Sequence, residues 1–382
     1  MADIRRERLI RLSKSCLSDA EKLAVMGVLD REFLGMGAEV QQFEQALGAF
    51  FGRPTVCVVN GTSALHLSLQ ACGVGPGDEV LVQSLTYVAS FQAISATGAV
   101  PVACDVDSET LTLNWRDAEK RVTARTKAVM PVHYSGDVGA LDEIYEFARC
   151  KGLRVIEDAA HAFGTVFNDF KVGGFGDISC FSFDGIKNIT SGEGGCIVTE
   201  DEEILRRVKD SRLLGVERDT ERRYAGERSW DFNVRAQGWR YHMSEIMAAI
   251  GRVQLNRFSE FAFQRQHLAK LYDRLFLNHS VIQPLAHDYD KIVPHIYVVR
   301  IHGIKNRTSI QQQMAEKGIQ VGYHYQPNHV LDFFKNPEYL HLPVTEKIFP
   351  ELLTLPLHPD LTDDDVNFVA LTLIQLLEGY GN

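Results

Sequence analysis

Over the first two hundred or so residues, short apolar runs bounded by glycine, proline or aspartate alternate with longer stretches of helical period. Ser18-Asp-Ala-Glu21 has the capping-box spacing and predicts a helix over 18–29. Gly35-Met-Gly37 then breaks the chain. A second helix is predicted over 40–51, with Phe43, Leu47 and Phe50 on one face. A β-rich run at 55–59 leads into Asn60-Gly61-Thr62-Ser63 and a helix from Ala64. Further strands are predicted over 79–83, 100–104, 127–132, 153–158, 180–183 and 196–198, with helices after Tyr87 and over 141–151 between them. Strands alternating with helices predict an α/β fold with a mostly parallel, doubly wound sheet.

Beyond residue 200 the pattern changes. A charged helix is predicted over 201–214 and a long loop over 216–235. A long helix is predicted from Ser244 to about residue 276, then a strand over 296–301, a helix over 308–317 and a strand over 320–325. A final helix starts at Thr362, with Asp363, Asp364 and Asp365 in its first turn, where the helix dipole favours anions. This predicts a smaller α+β C-terminal domain over 251–382, after a large domain with its N-terminal segment over 1–250.

Composition narrows the classes. The chain has 382 residues, 45% hydrophobic and 24% charged, as in a globular protein of two domains. No run of eighteen apolar residues suggests a membrane span, and Met1 to Leu9 lacks the apolar core of a signal peptide. A net charge of −10 with no basic block argues against a nucleic-acid partner. Seven cysteines without a CxxC pair predict a reduced, cytoplasmic chain.

Several motifs are missing. No GxGxxG opens a helix after a strand, and neither GxxxxGK[ST] nor GxSxG occurs. His324 and His329 lie five apart in a proline-containing segment, without HExxH spacing, so no metal is expected.

The candidate chemistry sits at strand ends. Lys187 falls in a loop between two apolar strands, beside Phe181, Phe183 and Ile186. Partial burial there favours the neutral, nucleophilic amine that a Schiff base needs. Gly61-Thr62-Ser63 forms a tight turn at a helix start, suited either to capping or to holding a phosphate. Tyr87 stands at a strand-to-helix junction, and Asp158 ends a strand with His161 one turn on. A phosphate, a flat ring with a nitrogen to keep protonated and an aldehyde seeking an amine describe pyridoxal 5'-phosphate. In that arrangement Asp158 faces the ring nitrogen, Tyr87 stacks on the ring and His161 touches its oxygen or edge. Ser182 joins Thr62 and Ser63 on the phosphate, and Lys187 bonds the aldehyde.

The ordered motifs Asn60-Gly-Thr-Ser-Ala-Leu-His-Leu, Gly75-Pro-Gly-Asp-Glu-Val, Thr86-Tyr-Val-Ala-Ser, Val132-His-Tyr-Ser-Gly, Glu157-Asp-Ala-Ala-His, Phe181-Ser-Phe, Lys187-Asn-Ile-Thr-Ser-Gly-Glu-Gly-Gly, Tyr241-His-Met-Ser-Glu-Ile and Leu355-Pro-Leu-His-Pro span nearly the whole chain. Together they resemble the DegT/DnrJ/EryC1/StrS family of nucleotide-sugar aminotransferases. The resemblance implies fold type I of the pyridoxal phosphate enzymes and a homodimer with shared active sites. It implies an amino donor, usually L-glutamate, and a nucleotide-linked keto-deoxysugar acceptor, as in lipopolysaccharide, other glycan or natural-product sugar biosynthesis.

Two positions depart from the family pattern. Arg240, in Gly238-Trp-Arg-Tyr-His-Met, stands where most members carry an asparagine that reaches the partner's phosphate, and Asp184 stands where histidine often follows Phe-Ser-Phe. Arg240 becomes a candidate phosphate ligand, and Asp184, His324 and His329 are candidate substrate contacts. The dehydratases of this family carry histidine in place of the lysine, so Lys187 argues for transamination. A non-catalytic regulator would not need Lys187, Asp158, Thr62 and Ser182 together.

Overall fold

Strands β1 (Thr55–Val58), β2 (Glu79–Gln83), β3 (Val100–Cys104), β4 (Thr126–Met130) and β5 (Arg154–Asp158) enter the central sheet. After a small hairpin, β6 (Val166–Phe167) and β7 (Phe170–Lys171), so do β8 (Ile178–Ser182) and β9 (Gly195–Val198). A computed structural model of the chain describes residues 9–304, 306–336 and 341–380. Residues 1–8, which bear on the signal-peptide expectation, lie outside the described residues.

The sheet order is β1-β9-β8-β5-β4-β2-β3. All neighbours are parallel except at β9, which runs antiparallel to both β1 and β8. The inner strands are apolar and buried on both faces because helices cover both sides. Those helices include α1 (Asp19–Asp30), α2 (Ala38–Phe51), α3 (Gly61–Ala71), α4 (Val88–Ala96), α5 (Trp115–Lys120), α6 (Leu141–Lys151) and α7 (Glu202–Ser211). The expected capping box of α1 is present: the Ser18 hydroxyl accepts from Ala20 N–H, and the Glu21 carboxylate accepts from Ser18 N–H at 2.7 Å.

The 216–235 loop contains a short helix, α8 (Asp219–Tyr224), that the sequence pattern does not reveal. The single helix expected from Ser244 is two, α9 (Glu245–Asn256) and α10 (Phe258–Phe276). They part at Arg257, whose guanidinium bonds Glu21 at 2.8 Å. The turn lets α9 pack on α1 and α2 while α10 packs on the C-terminal helix.

A second, antiparallel sheet joins β10 (Ile282–Pro284), β11 (Tyr297–Ile301) and β12 (Leu352–Leu355), in order β10-β11-β12. With α10, α11 (Arg307–Glu316) and α13 (Asp363–Tyr380), which follows the short α12 (Pro343–Ile348), it encloses its own apolar cluster. That cluster includes Tyr272, Tyr297, Met314, Leu353 and Val369, and Ile10 joins it by pairing with Ile319. The strand expected over 320–325 does not form. Gly322 alone bridges to Thr354, and the chain then leaves the sheet so that His324 and Tyr325 reach the central cavity.

Among the described residues no helix is long and apolar enough to cross a membrane.

Candidate functional site

The parallel strands all end at one edge, and the segments leaving β1, β2, β4, β5 and β8 gather there around a cavity of about 440 Å³. That volume suits a small molecule, at the edge where open α/β sheets bind ligands.

Alternation along β8 explains its Phe-Ser-Phe run. Successive side chains point to opposite faces, so Phe181 and Phe183 enter the core and Ser182 lines the cavity. Phe181 stacks on Phe51 at 4.8 Å between centroids and Phe183 packs on Phe43 at 5.5 Å. Such pairs contribute roughly 0.5–1.5 kcal/mol each beyond their burial, which fixes the strand from which the lysine loop departs.

In that loop the Asp184 carboxylate accepts from Ile186 N–H at 3.2 Å, and Lys187 N–H donates to Asp184 O at 3.1 Å. Asn188 Nδ2 then donates to the carbonyls of Phe163 and Val293 at 3.1 and 3.0 Å, tying down the next residue. Lys187 therefore stands in the cavity wall. Burial, the largest influence, lowers its pKa to about 8 against the opposing charges of Asp158 and Asp184, and Arg265 lowers it further.

Asp158 ends β5, buried. Its Oδ2 accepts from Ser90 Oγ at 2.7 Å and its Oδ1 from Ala160 N–H at 3.2 Å. Ser90 lies in the first turn of α4, which Tyr87 caps; Tyr87 is exposed on the rim, 5.5 Å between centroids from Tyr325. His161 is buried with Nδ1 3.4 Å from Ser135 N–H and Nε2 2.9 Å from the Tyr325 hydroxyl. A backbone donor at Nδ1 requires that nitrogen to be unprotonated, so the ring proton sits on Nε2. Burial, with Lys187 and His324 nearby, pushes the His161 pKa well below its usual value, and the ring is neutral.

The turn after β1 is built by Asn60, whose side chain accepts from Ser63 N–H at 2.8 Å. Gly61 and Thr62 line the cavity, and as first-turn residues their N–H groups lack intrahelical acceptors. A Cβ on Gly61 would stand 2.8 Å from Ser182 Cβ, so glycine is what lets the turn and Ser182 form one cradle.

Thr62, Tyr87, Asp158, His161, Ser182, Asp184, Lys187 and His324 are thus brought together. Three expected residues are not on the cavity wall. Ser63 is buried, and its N–H is spent on Asn60. His329 is buried, with Nδ1 2.7 Å from Ser84 Oγ and Nε2 3.5 Å from Glu346, a structural role rather than a cavity contact. Arg240 is exposed on a segment that bridges to Leu213.

Two participants escape the sequence. Tyr325 lines the cavity from the second sheet's side, and His295 Nε2 lies 3.4 Å from Lys187 Nζ. Neither carries a local signal, because both arrive from distant parts of the chain. Ser90, by contrast, is visible in Thr86-Tyr-Val-Ala-Ser.

The cavity holds an amine, a buried carboxylate and a helix start that excludes side-chain bulk. This donor set fits an aldehyde, a ring nitrogen and a phosphate on one ligand, and so fits pyridoxal 5'-phosphate.

The model of the DegT/DnrJ/EryC1/StrS aminotransferase family matches residues 15–373. The spore coat polysaccharide biosynthesis protein SpsC of Bacillus subtilis is 33% identical, over 98% of this chain and 99% of its own length. PseC of Helicobacter pylori, an aminotransferase of pseudoaminic acid biosynthesis, superposes with TM-score 0.90 at 26% identity, covering 97% of this chain and 100% of PseC. Spr1654 of Streptococcus pneumoniae, a candidate sugar aminotransferase solved in its PLP form, gives TM-score 0.90 at 30% identity over 97% and 99% of the two chains.

Proposed function

We propose, since the chain belongs to the DegT/DnrJ/EryC1/StrS aminotransferase family, that it moves an amino group from L-glutamate to a nucleotide-linked keto-deoxysugar. It is a pyridoxal 5'-phosphate-dependent sugar aminotransferase with the type I fold. The donor, the nucleotide and a place in lipopolysaccharide or other glycan assembly in the cytoplasm are the proposal's finer parts. The observation that carries the site assignment is the meeting of Lys187, Asp158 and the Gly61–Thr62 turn in one cavity.

Bound there, the cofactor supplies an aldehyde that bonds amines and a cationic ring that draws electrons from the adjoining carbon. Thr62, Ser182 and the first-turn N–H groups of α3 would hold its phosphate. Asp158, fixed by Ser90 and Ala160, would keep the ring nitrogen protonated, because a carboxylate neighbour favours the charged form. Tyr87 would cover the ring. His161, neutral with its proton on Nε2, would present an uncharged edge, and Tyr325 would keep its hydroxyl proton free for the site. Lys187 Nζ would take the proton from the donor's Cα and return it to the neighbouring cofactor carbon; a pKa of about 8 suits both directions near neutral pH. Asp184 and His324 face the same cavity and are the proposed substrate contacts. Burial, then Lys187, lowers the His324 pKa to about 4, so it would meet the sugar as a neutral ring.

A homodimer with shared sites belongs to the same proposal. Arg240 is exposed away from its own cavity, and large apolar side chains stand exposed a few residues before it at Trp230, Phe232 and Val234, and separately on α1 at Leu23 and Met26. The test is incubation with glutamate and a panel of dTDP-, UDP- and GDP-linked keto sugars, with aminated product sought by mass. Product from one class fixes the substrate. No product from any nucleotide sugar, with turnover of a free keto sugar, defeats the nucleotide-linked assignment.

A further inference from the structure

Among the described residues two arginines, Arg212 and Arg265, are fully enclosed, and they are treated differently. Arg212 meets the Glu44 carboxylate. Arg265, on α10 and 1% exposed, meets no carboxylate among the described residues. Its partners are all main-chain carbonyls. Nη1 donates to Pro294, His295 and Leu357 at 3.4, 3.0 and 3.3 Å, and Nη2 to Ile186 and Lys187 at 3.4 and 3.5 Å. Its Nε is buried without an acceptor.

A buried charge is costly, and a carboxylate is the ordinary way to offset it. Here the offset comes from carbonyl dipoles, which satisfy the donors and leave the net charge in place. The carbonyls are those of the lysine loop, of Leu357 just past β12, and of the segment carrying His295, whose Nε2 stands 3.4 Å from Lys187 Nζ.

We propose that Arg265 is a positioning residue for Lys187. It clamps the lysine loop to the His295 segment so that the two side chains meet, and its unneutralised charge opposes a second positive charge on Nζ. The groups facing Lys187 are Asp158 and Asp184, which favour its charged form, Arg265, which disfavours it, and the imidazoles of His161, His295 and His324. The three rings are held neutral, chiefly by burial, so near neutral pH Arg265 is the only fixed cation among them.

The inference rests on the reading of Lys187 as the reactive amine. Its test needs neither cofactor chemistry nor sugar, so it can fail while that reading stands. The full-length chain, freed of cofactor, is trace-acetylated with acetic anhydride from about pH 6 to 11, and modification of the Lys187 peptide is followed by mass. The wild-type midpoint should lie near 8. In Arg265→Gln, which keeps an amide donor and removes the charge, it should rise by about half a unit, so the neutral fraction at pH 8 falls about twofold. A midpoint in R265Q that stays put or falls overturns the proposal. So does a wild-type midpoint near the ordinary lysine value of about 10.4. Failure of both R265Q and R265M to fold would make the arginine plain scaffold and overturn it as well.

Discussion

Replacing Asp158 by asparagine tests whether this carboxylate serves chemistry or only the fold. The side chain keeps its size. Oδ1 can still accept from Ala160 N–H, now 3.2 Å away. The new Nδ2 faces Ser90 Oγ, which donates at 2.7 Å in the native site and must turn to accept. It can do so because Thr86 Oγ1 stands 3.1 Å from the same hydroxyl and takes its proton. Two charge-assisted bonds become neutral ones, at a cost of about 1–2 kcal/mol in all. For a chain of this size the melting temperature should fall by no more than about 3 °C. The chemical cost is larger. Without the carboxylate the ring nitrogen of a bound cofactor loses the charge that holds its proton, and abstraction at the donor Cα slows about a hundredfold or more, equal to roughly 2.7 kcal/mol of barrier. Stopped-flow absorbance of the glutamate half-reaction under single-turnover conditions reads the step directly. A D158N rate within a few-fold of wild type, with cofactor bound, would refute the assignment. A melting point lower by about 10 °C would mark Asp158 as a structural cap instead.

Lys187→Ala should keep its fold and still bind the cofactor, since the Thr62–Ser182 cradle is untouched, yet fail to transaminate; sugar amination near the wild-type rate would sink the lysine's role. Lys187→Ala and Arg240→Ala dimers, each impaired, should regain roughly a quarter of wild-type activity when mixed and exchanged, because about half the dimers are hybrids carrying one intact site. Hybrids confirmed by mass that stay at the parents' average would show that Arg240 does not serve the partner's site. Because burial lowers the Lys187 pKa to about 8, capture of pyridoxal phosphate by the cofactor-free chain should speed up about tenfold per pH unit below 8 and level off above it. Capture still climbing tenfold per unit near pH 9.5 would indicate an ordinary amine. The unfolded chain, with lysine near 10.4, binds more protons between those values, so this group adds stability as pH rises from about 8 to 10.

The edges of β2, β3 and α6 were legible because their signals are local: a turn, an apolar run, a cap. The site was legible for the same reason, since Phe181-Ser-Phe carries its own alternation and Asp158 and Lys187 sit at strand ends. What escaped was non-local. Nothing near Arg257 marks the break between α9 and α10; Glu21, far away in sequence, holds it. Residues 320–325 have the alternation of a strand, but the demands of the cavity on His324 and Tyr325 override it. Ser63, expected to offer its hydroxyl, is buried off the cavity wall, and His329 lies off it too, where Ser84 Oγ meets its ring. Arg265 and His295 meet Lys187 only after the C-terminal sheet folds over the lysine loop.

Gly195 opens β9, between β1 and β8. A Cβ there would lie 2.7 Å from the Asn60 carbonyl carbon and 2.7 Å from the Phe181 oxygen. The bare backbone lets the exits of β1 and β8 close over the strand between them, so Gly61 and Ser182 touch although their strands are not neighbours. The helix-start side of the cavity is therefore set by the backbone of the sheet itself, while Lys187 reaches the cavity from the loop that leaves β8 after Ser182. The segment carrying His324 and Tyr325 reaches the same cavity from outside that sheet, so substitutions there can reshape its mouth without moving the floor beneath.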